Sequence, residues 1–580
     1  MILAIWLLWP KWMELTGNKK PVPAPADSVA AASARTDTSA LSLSASSPAK
    51  PRTVDAPKRV KKTVPAVLAS RETSIAPRRI KIVTPLYTAT LSNRGGVISA
   101  WKLSEYVTSR GQPVRMLPIG GRALELLVGA EGKKIDLSGA MFSTSTDAET
   151  VVVYEGDSVM VRFTCPLPDG NEVYKEWTFH ADNYSARFAA GFTDPLHTDV
   201  MTLRWKGSVP PAEFDITREI AQMKAQAYVG ESLEDLQVTG DDADSSSFTG
   251  STDWVGVRGK YFLTAFAPDG IERWNVSLNG RSRTLKSFSS VNYGWEITPF
   301  NAFQSRVGGV VYMGPIHRDQ LAPIGHNLDQ AIDLGWSLIR PISKAVLWFF
   351  LTLHKVIPNY GWIIVIFSIF IKILVHPLTK KSYESTSKMQ QLRPLMDEIK
   401  AKYSSDQQRM NQEMMKLYKE QGFNPMGGCL PMILQMPIFF AIYAVIGNNI
   451  EFRQAPFLFW VTDLSAPDVF MMLPASLPLY GDRISLLPVL MAGSMFVQQY
   501  LTVTDPKQKM MIYLMPVIML FIFNNIASGL VLYWFMFNVL SATHQYYMTK
   551  KRKDTAAAEL AAAPAIVIEP KKNPSKRRRR

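Results

Sequence analysis

SIFIKILVHPLT, residues 368 to 379, sets one lysine, Lys372, inside an apolar run long enough to cross a bilayer, with no acidic residue in the run. A charged side chain near the middle of a span costs about 2.5 to 3.5 kcal/mol on insertion scales, so such residues usually face protein or water and usually act. The plainer alternative is an amine that snorkels to the interface, since Lys372 lies near the end of the apolar run. Both readings put this stretch in a membrane helix, and they differ in where the amine points.

Working outward, the composition divides the chain. With 580 residues, 47% of them hydrophobic, and a formal net charge of +15, there is room for several domains and enough apolar sequence to enter a membrane. Runs able to span crowd between about 345 and 547, whereas about 75 to 320 has the composition of a soluble domain. Two cysteines, Cys165 and Cys429, imply no disulfide framework and do not identify a compartment.

The opening MILAIWLLWPKWMEL is apolar but short, broken by Pro10 and Lys11, and lacks the basic start of a signal peptide; it reads as the remnant of a first span whose start lies upstream. Pro, Ala, Ser and Thr dominate the next residues, to about 74, the composition of a disordered linker. From Arg79 alternation begins, as in IKIVTPLYTATL (80–91), a SNRGG turn, then VISAWKL (97–103), and the same grammar recurs in VVVYEGDSVMVRF (151–163) and EVYKEWTF (172–179). Short strands between Gly, Pro, Asn and Asp turns predict a β-sandwich, with a short helix around Thr217 to Gln226. The seven histidines are scattered, and no HExxH, Walker loop or GxSxG is present, so a binding or scaffolding module is expected there.

An aromatic, amphipathic stretch, DLGWSLIRPISKAVLWFFLTLHKVI (333–357), reads as a helix lying in the interface, followed by a turn at Pro358 and the span carrying Lys372. Beyond it, apolar positions Met389, Leu392, Met396, Ile399 and Tyr403, then Met410, Met414 and Leu417, recur at helical steps on either side of Ser404 to Asp406, the seam of a hairpin outside the membrane. Pro394 is expected to kink or restart its first arm. Lysines and arginines fill the hairpin, the TDPKQK loop and the tail, while the segment between the third and fourth spans has only Arg453 and Arg483; the positive-inside rule makes the former cytoplasmic. Against Asp554, Glu559 and Glu569 the tail sets Lys550 to Lys553, Lys571, Lys572 and Lys576 to Arg580, which suits RNA or lipid headgroups, or a disordered anchor.

NPMGGCLPMILQMPIFFAIY (424–443), APFLFWVTDLSAPD (455–468), DPKQKMMIYLMP (505–516) and SGLVLYWFMFN (528–538) resemble the signature segments of the YidC/Oxa/Alb family of membrane protein insertases, in matching order and spacing. YTATLSNRGGVISAWKL (87–103), TDWVGVRGKYFLTAFAP (252–268) and VYMGPIHRDQL (311–321) resemble the large periplasmic domain that Gram-negative members carry. The resemblance implies a polytopic α-helical membrane protein, a five-helix insertase core plus an N-terminal span, with a periplasmic β-sandwich domain. The chain then divides into an N-terminal segment (1–16), linker (17–75), β-sandwich domain (76–325), interfacial helix (328–357), second span (358–378), cytoplasmic hairpin (379–423), third span (424–447), periplasmic segment (448–485), spans four to six (486–503, 510–525 and 526–547) and basic cytoplasmic tail (548–580).

The family's characteristic charge, commonly arginine, stands five positions before a PLT motif; here it is Lys372, which keeps the charge and loses the planar fork. Groove residues of the family map onto Gln499 and Trp534, to which Gln435 and Asn538 are added from their place among apolar neighbours; interhelical hydrogen bonding is the plainer role for these. Ser368, Asn524 and Asn525 are expected to gather with them round a wet cavity. The resemblance implies an inner-membrane insertase and chaperone, not an enzyme, with no cofactor or metal. Its implied partners are nascent membrane proteins, the Sec translocon and its accessory subunits, lipid, and the ribosome through the tail and hairpin, with no DNA. A secondary transporter should show inverted repeats, and a sugar-active enzyme in the β-domain should show a carboxylate pair; neither is visible in the sequence.

Overall fold

Strict alternation of buried and open positions in Tyr87–Ser92 and Trp274–Thr284 gives strands with one apolar face, and such strands build a twelve-stranded sheet. The computed structural model describes residues 75–130, 133–167, 169–270, 273–284, 289–301, 303–421, 430–477, 480–502 and 509–562, all within one compact unit, Arg71–Arg580. The expected N-terminal segment, the linker to residue 74, the DPKQ loop and the end of the tail lie outside the described residues.

A second sheet of nine strands packs face to face on the first. Its middle strands, Thr252–Arg258, Phe262–Pro268 and Ser185–Phe192, are buried almost throughout, because their outer face is covered too. The chain after Pro315 lies there: Trp254 Nε1 donates to Asn327 O (3.2 Å), Arg258 Nε donates to Ala331 O (3.0 Å), and Leu321, Leu328 and Ala331 join the core. Between the sheets, Lys175 Nζ donates to Gly95 O (2.8 Å) and Leu124 O (3.0 Å), while Trp177 Nε1 donates to Gly96 O (3.0 Å), so one strand is tied to the SNRGG turn opposite. Burial lowers the Lys175 pKa to about 7. That turn needs glycine: Gly95 has φ +85°, and a Cβ there would come within 2.7 Å of Ser138 O. The expected short helix is α1 (Ile216–Ile220), capped by Asp215; it stops before Gln226 because the strand Lys224–Val229 has begun.

A one-turn helix, Arg318–Leu321, follows the last strand of the β-domain, and the longer helices come after it. Helix α2 (Arg340–His354) buries Ser343, Val346, Leu347 and Phe350, one stripe at helical spacing, and leaves Trp348 open. It starts later than the expected 328, since Gly335 takes φ +84° and Pro341 sits in the first turn. Helix α3 (Tyr360–Gln391) runs through Pro377 and past the expected end at 378, so the span and the first hairpin arm form one rod of about 48 Å. It breaks at Leu392, and Pro394 falls in the first turn of α4 (Arg393–Lys402). Helix α5 (Gln407–Glu420), capped by Asp406, returns; Leu392 and Met396 are buried with Met414, Leu417 and Tyr418 packed against them, and Met410 is buried as well.

Helices α6 (Leu430–Asn448), α7 (Leu486–Thr502), α8 (Lys509–Phe523) and α9 (Ser528–Ala562) complete the bundle, α9 lying along both α7 and α3. Tyr360–Pro377 is apolar over 18 residues, long enough to cross a membrane; the apolar parts of three others, Leu434–Asn448, Leu486–Leu501 and Ile512–Phe523, are shorter. Gly529 is where α3, α6 and α9 converge: a Cβ there would meet Ile364, Ile446 and Leu464 O at 3.1 Å. The segment from 448 to 485 folds into a hairpin, Met471–Leu477 with Gly481–Ile484, that the sequence reading left as a plain connection. It is clamped to the β-domain: Arg453 Nε donates to Glu213 (2.6 Å) and its Nη2 to Val107 O (2.5 Å), and Tyr261 Oη donates to Ser465 Oγ (2.9 Å).

Candidate functional site

Helices α3 and α9 both begin at the end of the bundle that meets the β-domain. Gly361 packs on Phe457, and Ser528 Oγ donates to Asp463 O (2.7 Å). Lys372 is twelve residues into α3 and Ser541 thirteen into α9, so both side chains leave their helices about 18 to 20 Å from that end. They meet: Lys372 Nζ donates to Ser541 Oγ at 2.7 Å and stands 4.9 Å from the centroid of the Phe537 ring. Ser541 in turn donates to Phe537 O (2.7 Å). The amine is therefore directed at the neighbouring helix, while Ile369, Phe370, Ile373 and Leu374 turn outward from α3.

One turn farther from the β-domain the two helices meet again, through His376 and His544, whose ring centroids are 5.0 Å apart at 79°. Lys372 and His376 are four residues apart and Ser541 and His544 three, so each helix offers a polar pair on one face. The sequence reading missed Ser541, His376 and His544. The spacing was visible in each helix, but that the two pairs face each other is a property of the packing.

The other expected residues divide. Asn538 is buried and its Nδ2 donates to Ser494 Oγ of α7 (3.3 Å), on the face of α9 next to Ser541. Oε1 of Gln499 is buried with no hydrogen-bond partner among the described residues, while the side chains of Gln435 and Tyr533 lie beside each other. Trp534 turns to a different side of α9 from Lys372, packing edge-on against Phe439 of α6 (4.9 Å) and near Phe523 of α8 (5.4 Å). Ser368 donates to Ile364 O in its own helix (2.7 Å). Asn524 and Asn525 are corrections to the expected gathering: they sit at the α8–α9 turn, on the β-domain side. There Asn524 Nδ2 donates to Tyr480 O (2.8 Å) and Arg483 O (3.0 Å), its Oδ1 accepts from Ser485 N (3.1 Å), and Asn525 Nδ2 reaches Tyr480 O (3.4 Å). Both asparagines thus spend their side-chain amides on backbone groups of the adjoining hairpin and its exit. Groups of three or more His, Cys, Asp or Glu able to hold a metal ion do not occur among the described residues.

Comparison with known proteins covers both parts of the chain. The family described as "60Kd inner membrane protein" matches residues 352–555, and the family described as "YidC periplasmic domain" matches residues 79–349. The membrane protein insertase YidC of Chlorobium phaeovibrioides is 34% identical over 484 residues, which cover 81% of this chain and 83% of that protein. The membrane protein insertase YidC of Prosthecochloris aestuarii is 36% identical over 482 residues, covering 80% and 81%. Among solved structures, an active YidC insertase with its first transmembrane domain is similar at a TM-score of 0.36 and 19% identity, over 81% of this chain and 93% of that one.

Proposed function

Because the chain belongs to the YidC/Oxa/Alb family of membrane protein insertases, we propose that it inserts and helps fold nascent proteins in the bacterial inner membrane through a hydrated groove between α3, α7 and α9 in which Lys372 supplies the positive charge. The observation that carries this reading is the Lys372 amine turned onto Ser541 of α9 instead of outward. Gln499 supports it, because a buried polar atom without a protein partner is costly unless water or a substrate's polar group meets it; Gln435, beside Tyr533, adds polar groups to the same bundle. Asn538 with Ser494 belongs to the same wall, and Trp534 to its apolar flank.

The mechanism follows from solvation. A hydrophilic terminus or loop enters from the cytoplasm and is drawn, if acidic, toward Lys372, where it keeps its water part-way across. The substrate's apolar segment meanwhile passes along the outward aliphatic and aromatic residues of the bundle into lipid, a step that is itself downhill and needs no nucleotide. The β-domain is periplasmic, and the α8–α9 turn, with the 448–485 segment docked on it, closes that side. The α4–α5 hairpin and the tail are cytoplasmic and basic, placed to meet the ribosome, and the chain works alone or beside the Sec translocon. Helix α2 lies in the interface with Trp348 toward lipid. A reconstituted insertion assay tests the charge: Lys372→Arg keeps insertion of a substrate with an acidic translocated tail, whereas Lys372→Ala and Lys372→Glu weaken it. Equal activity of all three variants refutes the role of the charge.

A further inference from the structure

At the junction of the β-domain and the 448–485 segment lies a cavity of about 450 Å³. Acidic and basic residues both line it, and the acids are already engaged. Glu213 takes Arg453. Asp215 accepts from Arg218 N (3.1 Å) and lies 3.8 Å from the side chains of both Arg218 and Arg483. Glu219 accepts the backbone N–H groups of Ala212 and Glu213 (2.9 and 2.8 Å), and Asp463 accepts the N–H and hydroxyl of Ser465 (2.8 and 2.7 Å).

One cation has no such arrangement. Lys260 is only 7% exposed and lines the cavity, yet it makes no hydrogen bond or ion pair among the described residues. Its nearest polarisable neighbour is the ring of Tyr261, 4.5 Å from the amine. Burial holds its pKa below the usual lysine range, with Glu213 and Asp463 offsetting that only through space. The three N–H protons of Lys260 open onto the cavity and meet no protein acceptor among the described residues. A negatively charged group rich in acceptor oxygens matches this amine, and Arg218, 3.8 Å from Asp215, stands as a second cation on the same wall.

We propose that this cavity binds a phosphate group, held by Lys260 with Arg218, as part of a phospholipid headgroup or a soluble phosphate ester. The volume exceeds what a bare phosphate needs, leaving room for a polar substituent beside the hydroxyls of Thr462 and Ser465. The site's position agrees with a headgroup: it adjoins the segment between two membrane helices, which exposes Phe459, Phe470, Met471 and Met472.

Binding to the detergent-purified full chain in phosphate-free buffer tests this, with calorimetry and thermal unfolding as readouts. The probes are inorganic phosphate, dioctanoyl phosphatidylglycerol, and dioctanoylglycerol, which lacks the phosphate. Phosphate or the phosphatidylglycerol is expected to bind and raise the unfolding midpoint, and dioctanoylglycerol to do neither. Lys260→Met is expected to weaken binding at least tenfold while unfolding no earlier than the parent without ligand, and Lys260→Arg to stay within threefold. Should Lys260→Met fail to fold, Arg218→Gln is expected to weaken binding at least threefold. Binding of phosphate alone identifies a soluble ester as the ligand class, and binding of the phosphatidylglycerol alone identifies a lipid. No binding of either probe, or undiminished binding by Lys260→Met or, in its place, by Arg218→Gln, overturns the proposal.

Discussion

A fully buried lysine in the β-domain and a half-buried one in the helical bundle are treated in opposite ways. Lys175 lies between two sheets with its amine on two carbonyl oxygens, each belonging to a backbone fixed by its own strand or turn. Lys372 is set against a serine hydroxyl and an aromatic face, on two helices whose outer sides are apolar. The carbonyls of the sandwich cannot turn away, whereas a hydroxyl can rotate and give its place to a carboxylate. A lysine of the first kind is a strut, and one of the second kind suits the exchange of partners that the function proposed above asks of Lys372. The two differ in what surrounds the amine and in how far it is withdrawn from the surface.

The contrast can be broken most directly at the bundle. Lys372→Glu is expected to lower insertion of an acidic-tailed substrate at least tenfold, measured by protease protection in proteoliposomes, a barrier change of about 1.4 kcal/mol or more. The same variant should unfold the β-domain at an unchanged temperature. Next in size is Arg453→Ala, which leaves Glu213 in a largely buried pair without its cation. Breaking such a pair costs about 3 kcal/mol, so the 448–470 segment should exchange its amide hydrogens faster while the sandwich core stays protected.

The strut makes a prediction about pH. With its folded pKa lowered to about 7, Lys175 binds its proton more weakly in the folded than in the unfolded chain. Between pH 7 and the ordinary lysine range the unfolded state therefore holds more protons, and stability rises with pH. Unfolding of the full chain followed by its buried tryptophans should show this upward slope, and Lys175→Met should flatten it without changing insertion. The smallest effect is expected for Asn538→Ala, about 0.6 kcal/mol for a single interhelical hydrogen bond. A loss of insertion well beyond that would mean that Asn538 touches the substrate.

Much of this was legible along the chain, because strands and amphipathic helices write their periods into the order of residues. The sandwich follows from alternation around SNRGG, and the hairpin from methionines and leucines at helical steps broken by Ser404 to Asp406. Pro394 announces the restart at α4, but Pro377 misleads, since α3 carries straight through it. The small hairpin at Met471–Ile484 was hidden because its contacts come from Asn524, far along the chain. Lys372 could be singled out for its charge alone. Ser541 and His544 could not, since a serine and a histidine in α9 acquire meaning only when α3 lies against them.

The continuity of α3 has a consequence for the hairpin it feeds. Over Tyr360–Gln391 the helix is unbroken even at Pro377, so turning its β-domain end by about 10° swings the far end of a rod of about 48 Å through about 8 Å. The start of α4 is thereby a pointer, on which a small adjustment at the bundle wall is magnified.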